Sequence, residues 1–319
     1  MTTDTLASAA RNESASQVTA LAPRRLGLRA YLACFSGIVW REVLRYVHQR
    51  ERFLSALVRP LVWLFIFAAG FRQTLGISII PPYETYVLYE TFVTPGLVGM
   101  ILLFNAMQSS LSMVYDRETG AMRTLLVSPF PRSFLLISKL LGGVAVALLQ
   151  VYAFLFIAYF WEIEPGGDPI NLGFMTIPPP FNGWLTVLPA LLLSGFMLGA
   201  LALFMSSVIR QLENFAGVMN FVIFPMFFAS SALYPLWRIK ESSPLLYEIC
   251  RLNPFTYAVE LIRFGLYGQV GAKLDGGWID LTNVAVVLAY TLVFLAGAIY
   301  AYNPSKGLIA RRGGPGGGA

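Results

Sequence analysis

Six apolar stretches, each close to the length of a bilayer crossing, constrain this chain more than any other feature. They run Phe53–Phe71, Phe92–Val114, Phe134–Trp161, Trp184–Val208, Phe215–Leu233 and Leu281–Tyr302. A helix rising 1.5 Å per residue needs roughly 20 mainly apolar residues to cross a hydrocarbon core of about 30 Å. Helices and closed barrels alone satisfy their backbone groups there, and runs this continuous fit helices. Charged residues make up 13% of the chain, against about 25% in a soluble domain. The pattern predicts an all-α polytopic membrane protein with six transmembrane helices. Trp161, Trp184, Tyr234, Trp237, Trp278, Tyr300 and Tyr302 fall near stretch ends, where amphipathic rings favour the interface.

The basic residues orient the spans. Eight arginines precede residue 53, and Arg117, Arg123, Arg132, Arg210, Lys306, Arg311 and Arg312 follow even spans or the last one. The loop 162–183 holds three acids and no basic residue. Positive charge stays on the cytoplasmic side, so both termini are expected in the cytoplasm, as an even span count requires. The net charge of +6 is thus a matter of orientation and calls for no nucleic-acid partner. Residues 1–25 are expected to be a disordered cytoplasmic tail, residues 26–305 the transmembrane domain, and residues 306–319 a flexible cytoplasmic tail. Arg59 lies inside the first span, and its long stem could carry the charge back to the cytoplasmic headgroups.

Two segments outside the spans are amphipathic. In residues 28–52, Leu28, Tyr31, Leu32, Phe35, Ile38 and Val39 recur at helical spacing with arginines on much of the other face. This predicts an N-terminal interfacial amphipathic helix. Residues 241–267 are too apolar for a solvated loop, yet Pro244 and Pro254 break them. Asn253 suits the cap of a helix whose first residue is Pro254, and Glu260 and Arg263 are spaced to pair. A partly inserted extracytoplasmic helical hairpin before the last span is the expected form. A seventh full span would place Lys306, Arg311 and Arg312 on the wrong side.

The chain has no GxxxxGK[ST] and not one Gly-Lys dipeptide, so it cannot build a P-loop. Cys34 and Cys250 are far apart in sequence, His48 is the one histidine in an Arg-rich segment, and no metal site is expected. The two cysteines fall on opposite sides of the expected topology, and a disulfide between them is not expected. Arg59 and Lys139 are the ionisable residues within the spans. Ion-coupled carriers place such groups at mid-membrane, so work done by this protein would draw on another chain. The milder polar residues Asn105, Gln108, Ser109 and Ser112 cluster on the second span, and Asn220 lies on the fifth. They suit either helix–helix hydrogen bonding or the wall of a translocation path and subunit interface.

Three stretches together resemble the ABC-2 type permeases of ATP-binding-cassette exporters. They are TPGLVGM (Thr94–Met100), YDRETGAMRTLLVSPFPRSFLLISKLL (Tyr115–Leu141) and LNPFTYAVELIRFGLYG (Leu252–Gly268). The resemblance covers the chain from about residue 25. It implies the permease half of a bacterial inner-membrane exporter for drugs, lipids or lipid-linked glycans. Two such subunits, identical as a homodimer or paired with a similar one, would sit in membrane lipid on a pair of ABC ATPase subunits, which bind ATP and Mg. This chain would then need no cofactor and perform no catalysis.

Asp116, Arg117, Glu118, Gly120, Met122, Arg123, Leu125 and Leu126 would form the coupling element that meets the ATPase. Their mixed charge and apolar patch suit a docking surface, and Pro129 and Pro131 would stiffen its return to the membrane. Many family members carry an acid at the position of Arg123, so charge pairing with the partner would differ here. Asn253, Pro254, Tyr257, Glu260 and Arg263 match the family's late extracytoplasmic motif.

Overall fold

The computed structural model describes residues 27–48, 50–71, 78–79, 86–87, 89–118, 129–160, 170–171, 176–177, 181–209, 211–267 and 279–301. The chain divides into two units, residues 1–37 and 38–319. The described part of the first is the opening of helix α1 (Leu28–His48).

Among the described residues the second unit is helical apart from two antiparallel ladders of two residues per strand, 78–79 with 86–87 and 170–171 with 176–177. Its helices are the remainder of α1, α2 (Arg50–Phe71), α3 (Tyr89–Glu118), α4 (Arg132–Tyr159), α5 (Phe181–Val208), α6 (Leu212–Phe228), α7 (Leu236–Ser242), α8 (Pro244–Leu252), α9 (Pro254–Tyr267) and α10 (Ile279–Ala301).

Four helices are long and apolar enough to cross a membrane: α3, α4, α5 and α10. The two other expected spans are shorter. In α2 the apolar part is Ala56–Ile66 among the described side chains, and Arg50, Glu51 and Arg52 open the helix. The fifth expected stretch, Phe215–Leu233, is helical only to Phe228. Its end has a local cause. Carbonyls of a last helical turn lack intrahelical partners, and the Asn253 amide donates to both Met226 O and Ala229 O at 2.7 Å. Residues 230–233 then form a buried turn.

Apolar on every face, α5 takes the central place that such a sequence predicts. It packs against α3, α4, α9 and α10. Gly265 permits the α5–α9 contact. A Cβ there would lie 2.9 Å from the Val187 Cα, and Thr186 Oγ1 donates to Gly265 O at 2.7 Å. Although amphipathic, α9 is largely buried against α3, α5 and α10, whereas most of α8 is exposed.

Large apolar side chains remain outside this core. Val58, Val62 and Phe65 on α2, Phe221 and Phe224 on α6, and Leu288, Leu292 and Val293 on α10 are exposed. Faces of that extent are stable against lipid or another subunit, not water.

Candidate functional site

The polar residues of α3 follow one face. Asn105, Gln108, Ser109 and Ser112 are spaced three or four apart, which stacks them on one side of a helix. The structure turns this face toward α1 and α4. With Glu42, Arg45 and Tyr46 of α1 and Gly143 and Val146 of α4, these four line a small open cleft. A second small cleft shares Ser109 and Gly143 and reaches the buried Lys139. Gly142 and Gly143 let three helices meet. A Cβ on Gly142 would lie 3.2 Å from Glu42 Cγ on α1, and one on Gly143 would lie 2.8 Å from Ser109 Oγ on α3.

A hydrogen-bonded knot ties two of the residues that line the first cleft, Tyr46 and Asn105, to α4. The buried Gln150 accepts at Oε1 from Tyr46 Oη (2.8 Å) and from Asn105 Nδ2. Asn105 Nδ2 also donates to Ile101 O at 2.9 Å, and Ser112 Oγ donates to Ser109 O at 2.7 Å. Tyr46, Glu42 and Arg45 were assigned by sequence to an interfacial helix. Their spacing along α1 was the one available sign that they share a face. Asn220 is not part of this cleft. It lies on the exposed side of α6, next to Phe221, which is 78% exposed.

Arg59 does not reach back along its own helix. Its guanidinium lies over the Phe104 ring, 3.9 Å from the centroid. At 1.5 Å per residue, Phe104 is about 16 Å from Tyr115 and about 22 Å from Tyr89, which places it near the middle of α3. A cation at the centre of a spanning helix costs roughly 2.5–3.5 kcal/mol, and the ring face returns part of that.

At the cytoplasmic end expected for α3, Glu118 Oε1 accepts from the Leu212 backbone N–H at 2.8 Å. Gln211, the N-cap of α6, makes no capping bond with its own side chain, and Glu118 supplies one from 94 residues away. The side chains of Asp116 and Arg117 lie outside the described residues. So do Gly120, Met122, Arg123, Leu125 and Leu126 entirely.

A second polar centre joins α9 to the turn after α6. Asn253 Oδ1 accepts from Phe255 N–H at 3.0 Å and so caps α9, whose first residue is Pro254. Arg263, 4% exposed, pairs with Glu260 and donates to Ser231 O at 2.9 Å. Its guanidinium also lies 4.2 Å from the Phe92 ring centroid at the start of α3. Tyr89 Oη donates to Leu233 O at 3.0 Å. Tyr257 is partly buried on α9. Cys250 is fully buried, and its burial pushes the thiol up from its ordinary pKa. Both cysteines are free, and the described residues contain no cluster of three metal-ligating side chains.

These features define a multi-pass helical membrane protein with a polar cleft between its helices. The ABC-2 type transporter family model matches residues 34–267, and the chain belongs to that family, the membrane subunits of ABC transporters. It is 25% identical over 247 residues to ycf38 of Cyanophora paradoxa, named as a transport permease, covering 76% of this chain and 77% of that one. It is 28% identical over 211 residues to YbhR of Escherichia coli K12, named as a multidrug ABC transporter permease. That match covers 66% of this chain and 52% of YbhR. Nodulation protein J of Sinorhizobium fredii is 23% identical over 262 residues, covering 81% of this chain and 86% of that one.

Proposed function

We propose that the chain is the permease subunit of an ATP-driven exporter of amphiphilic compounds of the drug, lipid or lipid-linked glycan class. It works as a homodimer in a bacterial inner membrane, on two ABC ATPase subunits that bind ATP and Mg. Six helices cross the bilayer, α2 and α6 among them, and both termini are cytoplasmic. The α8–α9 pair forms a partly inserted hairpin on the outer side. The basic asymmetry of the loops supports this orientation. The name of YbhR supports a drug-like substrate.

The observation that carries the reading is the bond from Leu212 N–H to Glu118. The coupling segment, from Asp116 to Pro131, leaves α3 at the residue that caps α6. A push on that segment is thereby delivered to α3 and α6 together, and through α3 to the polar face at Asn105–Ser112. Stiff helices pass on a rigid-body displacement that a loop would absorb. The test is co-purification with an ABC ATPase, followed by ATPase assay of Gly120→Trp and of the charge reversal Arg117→Glu with Glu118→Arg. Both variants are expected to reach normal abundance with lowered amphiphile-stimulated hydrolysis. Failure of any ABC ATPase to bind the chain would refute the reading.

A further inference from the structure

We propose that Arg59 and Phe104 form an anion subsite that takes the acidic headgroup, phosphate or carboxylate, of an amphiphile arriving from within the membrane. The inference names a substrate class for the transporter proposed above and rests on that reading. It begins from an electrostatic mismatch. Arg59 is the fourth residue of the apolar stretch Ala56–Ile66, and it is exposed on α2. Its guanidinium lies against Phe104 near the middle of α3. Among the described residues no carboxylate pairs with it and no carbonyl accepts from it.

The other buried or inserted cations differ. Arg263 is neutralised by Glu260 and tied to Ser231 O. Lys139 sits inside the helix bundle, buried. Arg59 has an aromatic ring beneath one face of its guanidinium and its N–H edge uncommitted. A planar guanidinium fork held over a ring keeps its N–H edge available for two parallel hydrogen bonds to a phosphate or carboxylate.

The surroundings suit the rest of such a ligand. Val58, Val62 and Phe65 leave an apolar exposed face on α2 beside Arg59, which would accept a tail. Phe104 and Gln108 are four residues apart, so they stack on one face of α3, and Gln108 lines the polar cleft. A headgroup at Arg59 is therefore one helical turn from that cleft. The charge lies where a ligand can reach it from the bilayer, with the polar cleft as the next stop.

The test uses the full chain without an ATPase, in nanodiscs of zwitterionic phosphatidylcholine, with dodecyl phosphate and uncharged dodecanol as probes. Because no ATPase is present, a negative result here leaves the transporter reading standing, and absence of an ATPase partner leaves this binding result intact. Wild type is expected to prefer dodecyl phosphate by about ten-fold or more. Arg59→Gln should abolish the preference, and Arg59→Lys should keep part of it. Phe104→Leu, which keeps the charge and removes its platform, should lower it about three-fold. That variant and Arg59→Lys decide the matter if Arg59→Gln does not fold. Competition with phosphatidylglycerol distinguishes the sources. Equal displacement identifies a bilayer lipid as the anion, and weak displacement identifies a separate amphiphile; both retain the subsite. Equal binding of the two probes by wild type would overturn the proposal. So would a preference unchanged in Arg59→Gln, including the case where that variant alters only the oligomeric state and Arg59 proves to be a subunit contact.

Discussion

The carboxylate of Glu118, at the last residue of α3, accepts a hydrogen bond from the backbone N–H of Leu212, the first residue of α6. One side chain thus completes the start of a helix 94 residues away. It stands within the segment proposed to couple to the ATPase, at the end of α3. A cap of this kind contributes about 0.5–2 kcal/mol, small beside the packing of a bundle. Glu118→Ala is therefore expected to lower thermal stability only slightly while lowering ATPase stimulation by amphiphile several-fold. Paired melting and ATPase measurements check this. Equal stimulation of variant and wild type would show that the bond passes no force.

Arg263 is predicted to matter more for folding. Removing one partner of a buried pair strands the other, at a cost of about 3–5 kcal/mol. In Arg263→Met the stranded groups are Glu260 and Ser231 O. Thermal unfolding in detergent should show a large loss. The double variant with Glu260→Gln should recover part of it, since the uncompensated charge is then gone. A double variant as weak as the sum of both singles would contradict the pairing.

At Gly265 the prediction is steric. The Cβ of Gly265→Ala would meet the Val187 Cα at 2.9 Å. Backbone cannot move aside as a side-chain tip can. Overpacking of this kind costs about 1–3 kcal/mol, and Gly265→Leu should fail to yield monodisperse protein. Size-exclusion profiles and melting temperatures decide it.

The two cysteines should separate by reactivity. Cys250 is buried with its thiol pKa raised, while Cys34 is half-buried. A raised thiol pKa leaves less thiolate near neutral pH, and thiolate is the reacting form. Maleimide is expected to modify Cys34 in the folded protein and Cys250 only after denaturation. Raising the pH should accelerate Cys250 little until unfolding exposes it. Burial also makes Cys250 unsuited to serve as a topology marker in intact cells. Mass spectrometry of labelled peptides reads both sites, and fast labelling of Cys250 in folded protein would contradict its burial.

Gln150 tests the hydrogen-bonded knot. Gln150→Leu removes the acceptor shared by Tyr46 and Asn105. Each lost hydrogen bond of this kind costs about 0.5–1.5 kcal/mol. The expected result is lower stability together with altered transport selectivity. Gln150→Glu, which retains an acceptor, should keep more of the stability.

What the sequence disclosed was mostly local. Asn253 followed by Pro254 is readable as a helix start from neighbouring residues alone, and the Glu260–Arg263 spacing places both on one face. The spacing of Asn105, Gln108, Ser109 and Ser112 likewise gives one face of α3. Contacts between distant segments were not readable. Nothing in the sequence joins Gln150 to Tyr46, or Glu118 to Leu212, because side-chain geometry across tens of residues depends on how the helices are rotated. That rotation also put Asn220 on the exposed side of α6, away from the polar residues of α3. Arg59 shows the same limit at one residue. Its stem can reach headgroups or a neighbouring ring, and only the position of Phe104 decides. The early end of α6 came from Asn253, whose amide takes carbonyls that a longer helix would have kept.

The central claim is that this chain carries amphiphiles outward on energy from a separate ATPase. Proteoliposomes containing the chain and its ABC ATPase, loaded with a fluorescent amphiphile and sampled with and without ATP and Mg, test it most directly. The account predicts movement across the bilayer that requires ATP, the ATPase and this chain together, and that falls in Glu118→Ala while the complex remains assembled. Movement at equal rate without ATP, or with the ATPase omitted, would contradict it.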